Sequence, residues 1–198
     1  MSQLIETICY ENRAFQRIHL HEERMNRSRL QLWGCVDSLS LAPWLSIPGP
    51  LKTQKVKCRV TYARKIENIE YELYFQKEIS SLKLVTDDSI DYAYKSKNRD
   101  PLISLLNKRG MADEILIIKN GQITDTSFSN IVFLKEGTWF TPKFPLLPGT
   151  RRADYLQKRV IFPRIITTDD LYSYEEARLI NAMRSLEEAV SIPITSIY

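Results

Sequence analysis

Cysteine and histidine are scarce in this chain of 198 residues: Cys9, Cys35 and Cys58, and the two histidines His19 and His21. An odd number of widely spaced cysteines argues against a disulfide framework, and no CxxC pair points to zinc. Two histidines in one short segment do not make a metal site without carboxylate help, so no metal is expected. Long apolar runs are missing as well. No stretch approaches the roughly 20 residues that a membrane helix needs, and "MSQLIETICYENR" lacks the basic-then-apolar pattern of a secretory signal. Repeats and low-complexity tracts are absent. Charge of one sign is weak too, since 28 basic residues against 24 acidic leave a net +4. "RMNRSR" and "NKRG" come without interleaved aromatics, which speaks against nucleic acid as a partner. The expectation is a soluble cytoplasmic protein with reduced thiols that handles small anionic molecules.

What is present is an ordinary globular composition, 43% hydrophobic and 26% charged, long enough to bury a real core. "LIETICY" reads as a strand over 4–10. "LHEERMNRSRLQLW" reads as an amphipathic helix with Glu22 and Glu23 in its first turn, where the helix dipole favours anions. The prolines of 43–50 mark a loop or helix end. "VKCRVTYA", "IEYELYFQ" and "SLKLVTD" read as strands, with "RKIENIE" as a hairpin turn between the first two. "PLISLLNKRG" is a helix opened by proline and closed by glycine. "EILIIKNGQITDT" and "NIVFLKEGTWFTP" are strand pairs turning at "NG" and "EG". "RRADYLQKR" is a shorter helix, and "ARLINAM" and "AVSIPITSI" supply the last strands. The fold class is α+β in two domains: a small α/β domain over 1–93 and a larger β-rich domain over 94–198. "YKSKNRD" lies on that boundary, where small-molecule sites tend to form.

Five pieces in this order resemble the class IV aminotransferases, the fold-type IV enzymes that use pyridoxal 5'-phosphate (PLP). They are "HEERMNRS" (21–28), "YKSKNR" (94–99), "ADEILIIKNGQITDTSFSNIVF" (112–133), "LLPGTRR" (146–152) and "INAMRSLEEAVSIPI" (180–194). The third, ending in "SxSN", is the most specific. Members usually carry a further hairpin before the segment that looks like "LIETI". The resemblance implies a D-amino-acid-aminotransferase-like fold whose second domain is a β-rich pseudo-barrel, and a homodimer.

The resemblance also implies roles, and PLP imposes its own needs: a lysine for the aldehyde, donors for the phosphate, and an acid beside the pyridine nitrogen. Lys95, with Asn98 three residues on, matches the family's lysine; Lys97 does not, and reads as an auxiliary or solvated charge. Asp125 stands where the family has a glutamate that bonds the pyridine nitrogen, one methylene shorter. Arg24, in "HxxR", matches the phosphate-binding arginine, a residue type that grips phosphate through parallel bonds. Thr150 and Arg151, after Gly149, match the helix start whose amides hold the phosphate. Family members often have threonine at 151. Asn181 lies in the segment that completes the phosphate cup. Arg59 corresponds to arginines that meet a substrate carboxylate, with Arg64 as an alternative; His21 is expected to stabilise the helix start.

A tyrosine common in the aminotransferases five residues after the lysine is replaced by Asp100, which brings the pattern closer to the lyase branch. The implied activity is that of a 4-amino-4-deoxychorismate lyase, giving 4-aminobenzoate and pyruvate from an amine and carboxylate substrate. Two alternatives stand beside it: an aminotransferase for a branched-chain or D-amino acid, and a non-catalytic binding protein on the same fold.

Overall fold

The computed structural model describes residues 3–198, and the chain forms two compact units that interleave along the sequence. One unit comprises Met1–Phe75 with Tyr94–Asn98, the other Gln76–Ala93 with Arg99–Tyr198. A single cut between 93 and 94 was the sequence expectation. The chain departs from it because the strand after residue 81 pairs within the second unit, while 94–98 returns to the first.

The first unit is an antiparallel sheet carrying one long helix. Its strands are β1 (Leu4–Glu11), β2 (Ala14–Phe15), β3 (Val56–Tyr62) and β4 (Ile66–Leu73), in the order β2-β1-β3-β4. Helix α1 (Ile18–Trp33) covers one face. Strand parity sends Leu4, Ile8, Cys58, Val60 and Tyr62 to that face, where they meet Met25 and Leu41 in a buried cluster. The helix starts earlier than expected, at Ile18, so Glu22 and Glu23 lie beyond its first turn and do not complement its dipole. Its end is set by Gly34 in the left-handed region (φ 67°), with the Cys35 N–H donating to the Arg29 carbonyl. The turn between β3 and β4 is also shorter than expected, because "IENIE" is already strand. The proline segment 43–50 holds two single 3₁₀ turns, at 42–44 and 49–51.

The second unit has two sheets and two short helices. Strands β5 (Leu82–Thr86), β6 (Glu114–Lys119) and β7 (Gln122–Ile123) form one sheet, β5 parallel to β6. Helix α2 (Asp100–Leu106) opens with proline near its start, as read from the sequence. The other sheet has the order β10-β9-β8-β11-β12, built from β8 (Asn130–Lys135), β9 (Thr138–Pro142), β10 (Ile161–Arg164), β11 (Glu176–Ile180) and β12 (Ile192–Pro193). Helix α3 (Thr150–Gln157) bridges β9 and β10 in sequence. Both glycine turns form: Asn120–Gly121 and Glu136–Gly137 all have positive φ, the conformation two-residue hairpins demand. Leu82, Leu116, Ile131, Phe133, Leu179 and Ile192 centre the largest core cluster. Among the described residues no helix is long and apolar enough to cross a membrane.

Candidate active site

The expected residues divide between the units: Arg24, Arg59 and Lys95 in the first, Asp125, Thr150, Arg151 and Asn181 in the second. In the first unit, the segment bearing Lys95 lies along the start of β1. The Ile5 N–H donates to the Lys95 carbonyl at 2.9 Å, and the Lys97 N–H donates to the Gln3 carbonyl at 2.9 Å. Lys95 is thereby fixed by its backbone, with a half-buried side chain. Lys97 is exposed and its Nζ donates to Gln3 Oε1 at 2.8 Å, which fits an auxiliary charge.

One residue on from Ile5 is Glu6, which sequence reasoning missed. It points to the α1 face and is fully buried. Arg24 donates from Nε to Glu6 Oε1 at 2.9 Å and from a terminal nitrogen to Oε2 at 2.5 Å. His21 Nδ1 lies 2.6 Å from Glu6 Oε2. Burial works against the carboxylate's charge, but the Arg24 guanidinium and the bonds from His21 and Arg24 outweigh it and hold Glu6 at about 2. Burial lowers the His21 pKa against the pull of Glu6, so a neutral imidazole donates Nδ1–H to the carboxylate. His21 therefore belongs to this ion-pair network and not to the helix start. Glu6 fixes the plane of Arg24, the expected phosphate ligand.

Arg59 lies on β3 opposite Thr7 of β1, with its side chain on the face away from α1. Its Nε is buried without a hydrogen-bond partner, and so is Oγ1 of Thr61, two residues along the same face. Arg64 is exposed and donates to the Trp33 carbonyl at 3.0 Å, a structural tie at the end of α1.

In the second unit, Asp125 is buried at the end of the β6–β7 hairpin, where its carbonyl accepts from the Ile117 N–H at 2.9 Å. Oδ1 accepts from Asn130 Nδ2 at 2.8 Å and Oδ2 from the Leu147 N–H at 2.9 Å. Burial raises its pKa to about 6, although Leu147, Asn130 and the charge of Arg152 all favour the anion. Leu147 belongs to the loop that enters α3. Gly149 caps that helix in extended backbone, and Thr150, Arg151 and Arg152 form its first turn, which contains no acidic residue. Arg152 is buried and donates to the Pro142 carbonyl at 2.7 Å. The Arg151 side chain reaches the carbonyls of Asn181 and Ala182 at 3.4 and 3.5 Å. Asn181 spends its side chain on its surroundings: Nδ2 donates to Ser129 Oγ at 2.8 Å, and Oδ1 accepts from the Met183 N–H at 2.9 Å. It ties the 181–184 turn to the turn that carries Asp125.

Comparison with known proteins identifies the family. The amino-transferase class IV family model matches residues 3–192. An uncharacterized protein of Haemophilus influenzae is 38% identical over 188 residues, 94% of this chain and 100% of its own. The crystal structure of a "putative 4-amino-4-deoxychorismate lyase" from Haemophilus somnus 129pt superimposes with a TM-score of 0.89 at 36% identity, covering 94% of this chain and 98% of that one. A Schizosaccharomyces pombe protein named "Putative aminodeoxychorismate lyase" is 27% identical over 218 residues, 96% of this chain and 90% of its own. The mixed fold of sheets with few helices is that of fold-type IV enzymes. The chain belongs to the class IV aminotransferases, a family of PLP-dependent enzymes.

Proposed function

We propose that the protein is a PLP-dependent lyase that converts 4-amino-4-deoxychorismate into 4-aminobenzoate and pyruvate. The observation that carries the cofactor reading is the start of α3. Two arginines occupy a first turn with no acidic residue, beside the buried carboxylate of Asp125. Cations are unfavourable at a helix N-terminus, whose N–H groups find no acceptor within the helix and favour an anion. A phosphate there, with a protonated ring nitrogen at Asp125, matches the donor set. The orphaned Arg59 Nε and Thr61 Oγ1 supply donors for a substrate carboxylate. The residues present fit the cofactor.

In this reading Arg24 and the first-turn amides of Thr150 and Arg151 hold the phosphate, with Asn181 shaping the turn beside them. Asp125 accepts the ring N–H. PLP, when bound, supplies an electron sink for the bond broken next to the substrate nitrogen. Lys95 Nζ takes the proton from the ring carbon that bears nitrogen. The C–O bond to the enolpyruvyl group then breaks, and the same Nζ delivers the proton to its methylene carbon, so that pyruvate leaves and the six-membered ring becomes aromatic. Arg59 orients the substrate through its carboxylate. Exposed Asp100, in place of the tyrosine common in the aminotransferases, supports the lyase over amino transfer to a keto acid. The same reading includes a homodimer, tested by light scattering on the eluting protein, and a cytoplasmic location with free thiols.

The test is the visible absorbance of protein incubated with PLP, before and after borohydride, for the wild type and Lys95→Ala. A reducible band confined to the wild type is expected, together with 4-aminobenzoate and pyruvate in equal amounts without any keto-acid acceptor. A wild type with no band would overturn the cofactor reading. Amino transfer from an amino acid, with no pyruvate released, would replace lyase by aminotransferase.

A further inference from the structure

Asn130 is the first residue of β8, and its side chain turns back towards Asp125. Nδ2 donates to Asp125 Oδ1 at 2.8 Å and to the Leu147 carbonyl at 2.9 Å. The Leu147 N–H donates to Asp125 Oδ2 at 2.9 Å. These three bonds close a ring of one carboxylate, one amide side chain and one residue of the loop before α3. Two acceptors face the same amide atom, so that atom must be the nitrogen. On its other side, Asn130 lies against Gly149. A Cβ at position 149 would stand 2.1 Å from Asn130 Oδ1. Gly149 has φ −68° and ψ 146°, backbone that any residue adopts. Glycine is required here for space and not for conformational freedom.

We infer that Asn130 is a positioning residue that joins Asp125 and the phosphate loop into one rigid part, setting the distance between them before the cofactor arrives. The inference rests on the cofactor reading above, and its chemistry is that of support for binding groups: a ligand placed by two ends is located only as well as those ends are fixed to each other. Asn130 touches the carboxylate with one N–H, the loop carbonyl with the other, and the helix cap with its oxygen. A single side chain thus spans from Asp125 to the 147–149 backbone. The ring also accounts for a carboxylate that can ionise in a buried position, because each oxygen has a donor held by something other than solvent.

The test uses wild type, Asn130→Ala, Gly149→Ala, the double variant and Asp125→Asn, each titrated with PLP and with pyridoxal, which lacks the phosphate. The readouts are the dissociation constants and the pH at which the absorbance of the bound chromophore changes. Asn130→Ala is expected to weaken PLP by about tenfold or more, to weaken pyridoxal less, and to move that pH. Gly149→Ala should reproduce the loss although it alters neither Asp125 nor Asn130. In the double variant, truncation of Asn130 leaves room for the new methyl at 149, so the loss should fall short of the two single losses combined. Should a single variant fail to fold, Asn130→Ser, which keeps a donor on a shorter reach, is titrated instead and should weaken PLP relative to wild type and pyridoxal less. A lower melting temperature with unchanged PLP affinity, unchanged discrimination from pyridoxal and an unmoved pH would overturn the inference. In that case Asp125→Asn still differs from wild type and the cofactor reading stands; a wild type that binds no PLP sinks both.

Discussion

Arg59 and Thr61 put two buried donors without partners on one face of one strand. An unmet buried hydroxyl costs about 1–3 kcal/mol, and a methyl of the same size avoids that cost. Thr61→Val is therefore expected to raise the stability of the ligand-free protein by about 1 kcal/mol in urea unfolding. If the hydroxyl serves the substrate carboxylate, the same variant raises KM with little change in kcat; an unaltered KM would confine Thr61 to a structural role. Arg59 was named from the sequence, but Thr61 was not, because the lack of a partner for a buried hydroxyl is decided by packing. Lys95, Asp125 and the "PGTRR" segment could be named as candidates because they sit in segments that resemble those of the family. Glu6, Asn130 and Arg152 could not, since each does its work through partners that the local sequence does not reveal. For Glu6 a signal existed. In "LIETI" it has the same strand parity as Leu4 and Ile8, and an acid on the buried face of a strand demands a buried base.

At the level of elements, local chemistry was read well where a turn or cap required a particular backbone. The two hairpins at Asn120–Gly121 and Glu136–Gly137 and the proline-opened α2 are examples. The start of α1, the extent of β4 and the parallel pairs β5–β6 and β9–β10 were not legible, because long-range pairing decides them. Two glycines show how differently one substitution acts. Gly34 ends α1 at φ 67°, and a methyl added there would meet nothing within 4 Å. Gly34→Ala is therefore expected to cost about 1 kcal/mol of backbone strain and leave PLP affinity untouched. Gly149→Ala has relaxed backbone and a 2.1 Å clash, and its effect should appear in PLP affinity. Chemical denaturation and PLP titration of both variants separate the two; similar affinity losses would mean that strain at any helix end reaches the site.

Across the whole molecule, two buried carboxylates have opposite pH signatures, one in each unit. Asp125 is raised to about 6 by burial, so its protonated form is favoured on folding. Its contribution is fully present below about 3.8 and is lost as pH rises through about 6. Glu6 lies at about 2 against an ordinary 4.5, so its contribution is present above 4.5 and is lost as pH falls towards 2. A carboxyl held that low is worth about 3 kcal/mol. The two effects together place the stability maximum contributed by these groups near pH 4, between the ordinary values of 3.8 for Asp125 and 4.5 for Glu6. The proposed function pulls the other way: with Asp125 as acceptor for a ring N–H, the carboxylate has to be ionised, and PLP affinity of the apoprotein should fall as pH drops below about 6. Glu6→Gln tests the acid limb. The substitution leaves Arg24 buried beside a neutral amide, so stability at neutral pH should drop by about 3 kcal/mol or more, the cost of breaking a buried ion pair. The same variant should lose the steep decline between pH 4.5 and 2 that wild type is expected to show in urea midpoints. A variant that declines as steeply as wild type would assign acid unfolding to the other carboxylates instead, and the buried Glu6–Arg24 pair would not govern the acid limb of stability.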